Sequence, residues 1–321
     1  MLTCPTDLFS PKAPLLIQSE YDIQFHLLQP TPIVALLHLH PKHDVHLATV
    51  PGIEADDRFH AEQLGPNQEP IQDIPVTEYL DSFGNCCSRF LAPAGDIRLH
   101  GRNIVTVDGF PELQGFNLPQ TPVELLPSET LQFLLASRYC EVDSELSELA
   151  WDLFGKTKPG WSRVQAICDF VHQHLQFDYL KARPTRTALQ AYQEKTGVCR
   201  DFMHLAITLC RCLNIPARYA TGYLGDIGVE PAPYPMDFSA WFQVYLEDRW
   251  HTFDARHNER RIGRVLMATG RDAADVALTT IFGPNLLTTF KVITDEVQPA
   301  KAKRLKAPVK KKAKNTPVLV A

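Results

Sequence analysis

The residues best suited to chemistry begin at Cys199, in the segment TGVCRDF at 196–202. Apolar residues recur at helical spacing from this cysteine onward, so we expect it in the first turn of a helix with Thr196 or Gly197 as the N-cap. Free N–H groups and the helix dipole stabilise a thiolate at such a position, and Arg200 adds positive charge. Cys199 is therefore a candidate nucleophile, and the alternative is a buried structural cysteine.

A second group of candidates lies on two alternating runs, 238–246 and 250–255, joined by a short polar turn at 247–248. A two-residue hairpin loop there makes position 239 a diagonal neighbour of Asp254, within about 7–8 Å on the same face. A nucleophilic cysteine needs a base, and that base needs an orienting carboxylate. Asp254 is the candidate for the carboxylate.

The composition is that of a globular protein with room for two domains. The chain has 321 residues, of which 45% are hydrophobic and 21% are charged. No apolar run approaches the roughly 18–20 residues that span a bilayer, and the first residues do not resemble a secretory signal. We therefore expect a cytoplasmic protein without membrane association.

The cysteines do not form a recognisable metal or disulfide pattern. Eight cysteines in a chain of this length are too few for a disulfide scaffold, and none of them forms a C-x-x-C pair. We therefore predict no metal site and no cofactor, and most of these thiols are expected to be small buried side chains.

The chain divides into three parts. Residues 1–122 read as an antiparallel β domain resembling a sandwich. Runs such as 23–27 alternate between apolar and polar residues, and prolines and glycines separate one run from the next. Residues 123–298 read as an α+β domain, with helices near 161–175 and 199–213 followed by antiparallel strands. Residues 299–321 read as a disordered basic tail.

The tail carries seven lysines and one arginine between positions 301 and 314, without an acidic residue. The net charge of the whole chain is −5, so the rest of the protein is acidic. A solvated tail is the simpler interpretation. The alternative is a weak contact with nucleic acid or another acidic surface, which would depend strongly on salt.

Several segments together resemble the transglutaminase-like superfamily, and in particular its bacterial branch with an N-terminal β domain. The likeness covers about residues 15–297. It rests on GVCRDFMH at 197–204, NIPARY at 214–219, TGYL at 221–224, the hairpin that ends at Asp254, and three further segments, LDSFGN at 80–85, APAG at 92–95 and LASRY at 135–139.

This resemblance implies a papain-like fold with a Cys-His-Asp triad that breaks or transfers acyl groups at amide bonds. Cys199 matches the nucleophile and Asp254 the orienting carboxylate. The family's His-Ala-Trp motif is Ser239-Ala240-Trp241 in this chain. A serine hydroxyl cannot act as a general base near neutral pH, so the position of the base is open.

Among other histidines, His257 is the best substitute, because it follows the strand end only three residues after Asp254. An ordinary polar or capping role is the alternative for it. Trp241 is expected either in the core or beside the site as a substrate-binding wall. Arg256 is expected either to pair with Asp254 or to anchor a substrate carboxylate.

The sequence thus favours a cysteine peptidase, amidase or transglutaminase-type acyl transferase that acts on a peptide or protein amide. The alternative is a pseudoenzyme that keeps the fold and the cleft as a protein-binding module, because Ser239 stands at the usual histidine position.

Overall fold

The computed structural model describes residues 14–41, 46–47, 56–112, 115 and 117–297. The predicted basic tail at 299–321 and its nucleic-acid contact lie outside these residues. The strands are β1 (Leu15–Leu27), β2 (Thr31–Ala35), β3 (His46–Leu47), β4 (Asp56–Leu64), β5 (Pro70–Asp73), β6 (Thr77–Leu80), β7 (Cys86–Ala92), β8 (Gly95–Val107), β9 (Gln176–Phe177), β10 (Thr196–Gly197), β11 (Ala217–Tyr223), β12 (Ser239–Leu246), β13 (Arg249–Phe253), β14 (Val265–Gly270), β15 (Thr279–Ile281) and β16 (Asn285–Glu296).

The helices follow the strand-rich region in the chain. They are α1 (Leu146–Phe154), α2 (Trp161–His174), α3 (Ala188–Glu194) and α4 (Cys199–Cys212), with short 3-10 helices at Val123–Leu125, Ser128–Leu134 and Tyr179–Lys181. The predicted α+β class is confirmed, since helices and antiparallel sheets occur together. No helix in the described part of the chain has the length and apolar character needed to cross a membrane.

Two antiparallel sheets form the strand-rich region. One sheet has the order β16-β1-β8-β4-β5, with β3 also paired to β8, and the other has the order β15-β2-β7-β6. Alternate residues of β1, including Tyr21, Ile23 and Phe25, are buried in a core that they share with Ile33 and Phe90 of the second sheet. The inner faces therefore pack together as in a sandwich, because each strand buries every second side chain.

The last two strands return to these sheets. Strand β16 pairs with β1 from Ile17↔Glu296 to Leu27↔Asn285, and β15 pairs with β2. A domain boundary between residues 122 and 123 places β15 and β16 in the second domain. The first region is therefore built from both ends of the described chain.

Helix α4 lies at the centre of the second region. All of its residues after Cys199 are buried, and it packs against α1, α2, α3 and the sheet β13-β12-β11-β14. The other side of that sheet contributes Tyr223, Phe238 and Val265 to the core of the strand-rich region. Strand β12 is buried almost throughout because it is covered on both faces.

The predicted hairpin register is confirmed. Strand β12 pairs with β13 from Phe242↔Phe253 to Leu246↔Arg249, and only Glu247 and Asp248 lie between the strands. Asp254 follows the end of β13 directly, so the hairpin carries this carboxylate to the edge of the sheet.

Candidate active site

Cys199 is the first residue of α4. The preceding residue, Val198, is extended and serves as the N-cap, rather than one of the two residues before it. Asp201 Oδ2 accepts hydrogen bonds from the Val198 N–H at 2.9 Å and from Arg186 Nη1 at 2.8 Å, which fixes this turn. Gly197 permits the close approach, since a Cβ there would lie 2.6 Å from Asp201 Oδ2. Asp201 therefore positions the nucleophile candidate at the helix start.

The Cys199 thiol differs from the expectation of a stabilised thiolate. The residue is half-buried, and burial raises the pKa of its thiol to about 11. The charge of Arg256 lowers this pKa, whereas Asp237 and Asp201 raise it. Loss of solvation therefore outweighs the favourable helix start, because burial disfavours the charged form of a thiol. The resting side chain is a neutral thiol that needs a base.

Arg200 does not supply the expected positive charge at Cys199. Its guanidinium donates a hydrogen bond to the Arg183 carbonyl and lies 5.4 Å from the centre of the Tyr139 ring. The Arg200 backbone N–H, in contrast, donates to the Cys199 sulfur and favours its charged form. The nearby cation whose charge acts on the thiol is Arg256.

Asp254 is buried and has a complete set of donors. Its Oδ1 accepts from the backbone N–H groups of Arg256 at 2.9 Å and His257 at 3.0 Å. Its Oδ2 accepts from Arg264 Nη2 at 2.8 Å and lies 2.8 Å from His257 Nδ1. Although burial alone would raise the pKa of Asp254, Arg264 and the bonds from His257 hold it well below its usual range. The carboxylate is therefore ionised.

The turn after β13 brings His257 back to Asp254. The Asn258 N–H donates to the Asp254 carbonyl at 2.9 Å, and Asn258 has a left-handed backbone with φ of 51°, a conformation that asparagine tolerates. Because an ionised carboxylate can only accept, His257 Nδ1 must be the donor in their contact. A neutral imidazole then presents Nε2 as an acceptor.

Arg264, which the sequence analysis did not consider, neutralises Asp254. Its side chain is only 7% exposed, and it also forms an ion pair with Glu112. Burial alone would lower the pKa of Arg264, but Asp254 and Glu112 raise it above its ordinary value. Arg264 lies 5.1 Å from the centre of the Trp241 ring, and Trp241 is itself 2% exposed. The structure therefore places Trp241 in the core, beneath the cation that holds Asp254.

The Arg256 side chain is directed away from Asp254. Only its backbone N–H contacts that carboxylate, so the expected Arg256–Asp254 ion pair is wrong. The guanidinium carbon lies 3.9 Å from the centre of the Phe177 ring, and Nη2 lies 3.4 Å from Tyr234 Oη. Arg256 is thus held by aromatic rings at the position where its charge reaches Cys199.

A cavity of about 630 Å³ is lined by several of these side chains, although Cys199 and Asp254 are not part of its lining. Ser239, Arg256, His257, Asp237 and Tyr179 are part of its lining. Of these, Arg256 and Asp237 act on the ionisation of Cys199, and the pKa of Tyr179 is raised first by burial and then by the charges of Asp237 and Cys199. The cavity therefore connects the surroundings of the thiol with the His257–Asp254 pair.

Sequence reasoning also gave no role to Asp237. Burial raises the pKa of Asp237 to about 6, although the Phe238 N–H and Arg256 favour its carboxylate. The sequence signal that could have identified Asp237 was its position directly before the alternating run of β12. For Arg264 the signal was only the general rule that a buried carboxylate requires a cation.

Residues 148–255 match the model of the transglutaminase-like superfamily. A crystal structure of a candidate cysteine protease from Cytophaga hutchinsonii is similar over 89% of this chain and 92% of its own, with 29% identity and a TM-score of 0.75. The similarity to that structure extends over most of the strand-rich region as well as the matched domain.

Two curated relatives are more distant. An uncharacterized protein of Mycobacterium leprae is 23% identical over 64% of this chain and 77% of its own length. The kyphoscoliosis peptidase of Mus musculus is 28% identical over 43% of this chain, but the match spans only 22% of that longer protein. With the fold and the family match together, this chain carries a transglutaminase-like domain, combined with a strand-rich region that begins near its N-terminus.

Proposed function

We propose that the protein is a cysteine hydrolase or acyl transferase that acts on an amide bond of a peptide or protein. Cys199 is the nucleophile, His257 is the general base and Asp254 orients the base. The observation that carries the proposal is the 2.8 Å contact between His257 Nδ1 and the ionised Asp254, because His257 lines the same cavity as Arg256, whose charge acts on the Cys199 thiol. This contact leaves Nε2 of His257 to accept a proton.

The proposed reaction has two steps. In the first step, His257 Nε2 takes the proton from Cys199 Sγ while the sulfur attacks the amide carbonyl carbon. The C–N bond then breaks, the imidazolium returns its proton to the leaving amine, and a thioester remains on Cys199. In the second step, water or an amine attacks the thioester and gives its proton to His257. The C–S bond then breaks, the acyl product leaves, and the imidazolium returns the proton to Cys199 Sγ. Backbone N–H groups at the start of α4 stabilise the oxyanion.

Two further residues support this reaction in different ways. Arg256 faces the cavity and has its charge near Cys199, so it is placed to contact the substrate close to the scissile bond. Trp241 acts indirectly, because its ring underlies Arg264, which pairs with Asp254. The cytoplasmic location expected from the sequence stays a prediction.

The test compares the wild-type protein with Cys199→Ala and His257→Gln. Hydrolysis of labelled casein and incorporation of a fluorescent primary amine into casein are measured in parallel. We expect Cys199→Ala to remove both activities and His257→Gln to reduce kcat/KM by about 10²–10⁴-fold, the contribution of a general base. His26→Gln is the matched control, because His26 is a partly exposed histidine that pairs with Asp96 in the strand-rich region. An active wild type whose rate is unchanged in His257→Gln would contradict the role of His257.

A second candidate function is a pseudoenzyme that binds proteins through the cleft. Two observations favour it: Ser239 stands where the family histidine is expected, and the Cys199 pKa is raised to about 11. Ser239→His distinguishes the two functions. Activity that appears only in this variant supports the pseudoenzyme, whereas turnover by the wild type that depends on Cys199 excludes it.

A further inference from the structure

A second group of chemically reactive side chains lies in the strand-rich region, apart from the cavity. It consists of His38, Glu78 and Cys86, each of which offers one ligand atom, and these atoms all lie within 4.8 Å of one another. His38 Nε2 is 3.7 Å from Glu78 Oε1 and 2.7 Å from Ser88 Oγ. An imidazole, a carboxylate, a thiol and a hydroxyl thus converge on one point.

The strand register explains this convergence. Cys86 and Ser88 are two residues apart on β7, so their side chains lie on the same face of the strand. Glu78 of β6 is paired with Ser88, and β2 pairs with β7 on the other side through Ala35↔Ser88. His38 follows the end of β2 by three residues. Three separate segments therefore deliver the group, which explains why no cysteine spacing in the sequence revealed it.

We propose that His38, Glu78 and Cys86 bind a zinc ion. Imidazole, thiolate and carboxylate are the ligands that Zn²⁺ accepts in tetrahedral sites, whereas Mg²⁺ and Ca²⁺ prefer oxygen ligands alone. Zinc–ligand bonds of about 2.0–2.3 Å place ligand atoms roughly 3.3–3.7 Å apart. The separation of 3.7 Å between His38 Nε2 and Glu78 Oε1 already fits this range.

Only the Glu78 side chain has to move for the three ligand atoms to reach an ion, and it is a long, flexible side chain. The Glu78 side chain is 57% exposed, whereas that of His38 is 11% exposed and its ring packs 5.7 Å from the Phe59 ring. Rotation of Glu78 can close the group around an ion while the imidazole stays in place. Ser88 Oγ lies 2.7 Å from His38 Nε2 and would give up this contact when that nitrogen binds the ion, which leaves the fourth position for water or the hydroxyl.

Zinc binding would change the protonation of the group. A cysteine ligand binds as its thiolate, so a bound zinc ion displaces the thiol proton of Cys86.

The site would brace a hairpin that connects the two regions. Asn85, next to Cys86, donates to the Thr269 carbonyl at 2.9 Å and accepts from the Thr269 N–H at 2.8 Å. Thr269 belongs to β14 of the transglutaminase-like domain's sheet. Zinc would tie the loop end of the β6–β7 hairpin to the chain that follows β2.

The test uses the untagged full-length chain with Co²⁺ and Zn²⁺ as probes. We expect one Co²⁺ per chain with a sulfur-to-cobalt charge-transfer band that Zn²⁺ abolishes. Cys86→Ser should remove this band, and His38→Ala should weaken binding by more than the about 10–100-fold that loss of an outer hydrogen-bond partner costs. Cys87→Ser is the matched control, since Cys87 is the neighbouring thiol on the opposite face of β7 and should retain the band.

A further control separates this site from the cavity. Cys199→Ala should retain both the band and the stoichiometry, so that metal binding and the proposed reaction are judged independently. Absence of the band in the wild type, or a band that survives Cys86→Ser, would overturn the proposal. Circular dichroism of each variant checks that the fold is intact.

Discussion

The two halves of the candidate active site are built differently. In the carboxylate half, Asp254 is buried, ionised and bonded by Arg264, His257 and two backbone N–H groups. In the thiol half, Cys199 is a neutral thiol whose ionisation is opposed by burial and influenced in opposite directions by Arg256 and Asp237. One half is fixed by many hydrogen bonds, and the other depends on a balance of charges.

If the protein is the cysteine hydrolase or acyl transferase proposed above, this difference separates a group that is already in place from one that must first lose a proton. A fully bonded Asp254 costs no rearrangement during a reaction, which is the property expected of an orienting group. A neutral Cys199 makes proton transfer part of the reaction, because the thiolate is the nucleophile. This site would therefore depend on a general base more strongly than a site in which the cysteine is already a thiolate.

The largest effect is expected from Asp254→Asn, which removes the charge from the fixed half. The amide leaves Arg264 buried beside a neutral group, so we expect the free energy of unfolding to fall by about 3 kcal/mol. His257 also loses the partner that sets its tautomer, so kcat/KM should fall by about 10²–10⁴-fold. Chemical denaturation and initial rates are the measurements.

Asp152→Asn is the control for this variant, since Asp152 is an exposed carboxylate on α1. It should change neither quantity. An Asp254→Asn protein as stable as the wild type would show that the charge of Asp254 is not what compensates Arg264.

The sequence predicted those parts of the site that depend on local pattern. Helical spacing placed Cys199 in the first turn of α4, although the N-cap is Val198 rather than Thr196 or Gly197, and the two-residue loop set the register that carries Asp254. His257 was the preferred substitute base because of its three-residue separation from Asp254. Its contact with that carboxylate follows from the tight turn after β13.

The parts that were missed depend on packing between distant segments. Arg264 is not marked by any short spacing, and its role follows only from burial between Trp241, Asp254 and Glu112. The thiol's pKa was expected too low because the loss of solvent around Cys199 cannot be read from helix position. Strand β16 likewise pairs with β1 although the two lie at opposite ends of the described chain, and no local pattern predicts this pairing.

An intermediate effect is expected when the charges around the Cys199 thiol are removed, and the two charges should shift its pKa in opposite directions. Asp237→Asn removes a negative charge and should lower the pKa of Cys199 by about 1, whereas Arg256→Gln should raise it by a similar amount. The pKa of Cys199 is about 11 in the wild type, so only a small fraction of the thiol is ionised at pH 8. This fraction changes about tenfold for each unit by which the pKa changes. Alkylation of Cys199 should therefore be faster in the first variant and slower in the second.

The alkylation rate is read by peptide mass spectrometry between pH 6 and 9, with Cys210 and Cys212 as internal references. In the wild type the rate at Cys199 should rise with pH without reaching a plateau. Glu230→Gln is the matched control, because Glu230 lines the cavity but is not among the charges that act on the thiol. A plateau below pH 7 would show a preformed thiolate and remove the contrast between the two halves.

The smallest effect is expected from Ser239→Ala, in the lining of the cavity that also contains Asp237, Arg256 and His257. Ser239 is 6% exposed, and among the described residues its hydroxyl oxygen has no hydrogen-bond partner. Loss of a buried, unbonded hydroxyl should leave the free energy of unfolding unchanged or raise it by about 1 kcal/mol. If His257 is the base, kcat/KM should also stay near the wild-type value. A tenfold loss of activity with unchanged stability would instead show that the hydroxyl forms a hydrogen bond with the substrate. Ser239 would then be a substrate-binding residue and not only a residue of the cavity wall.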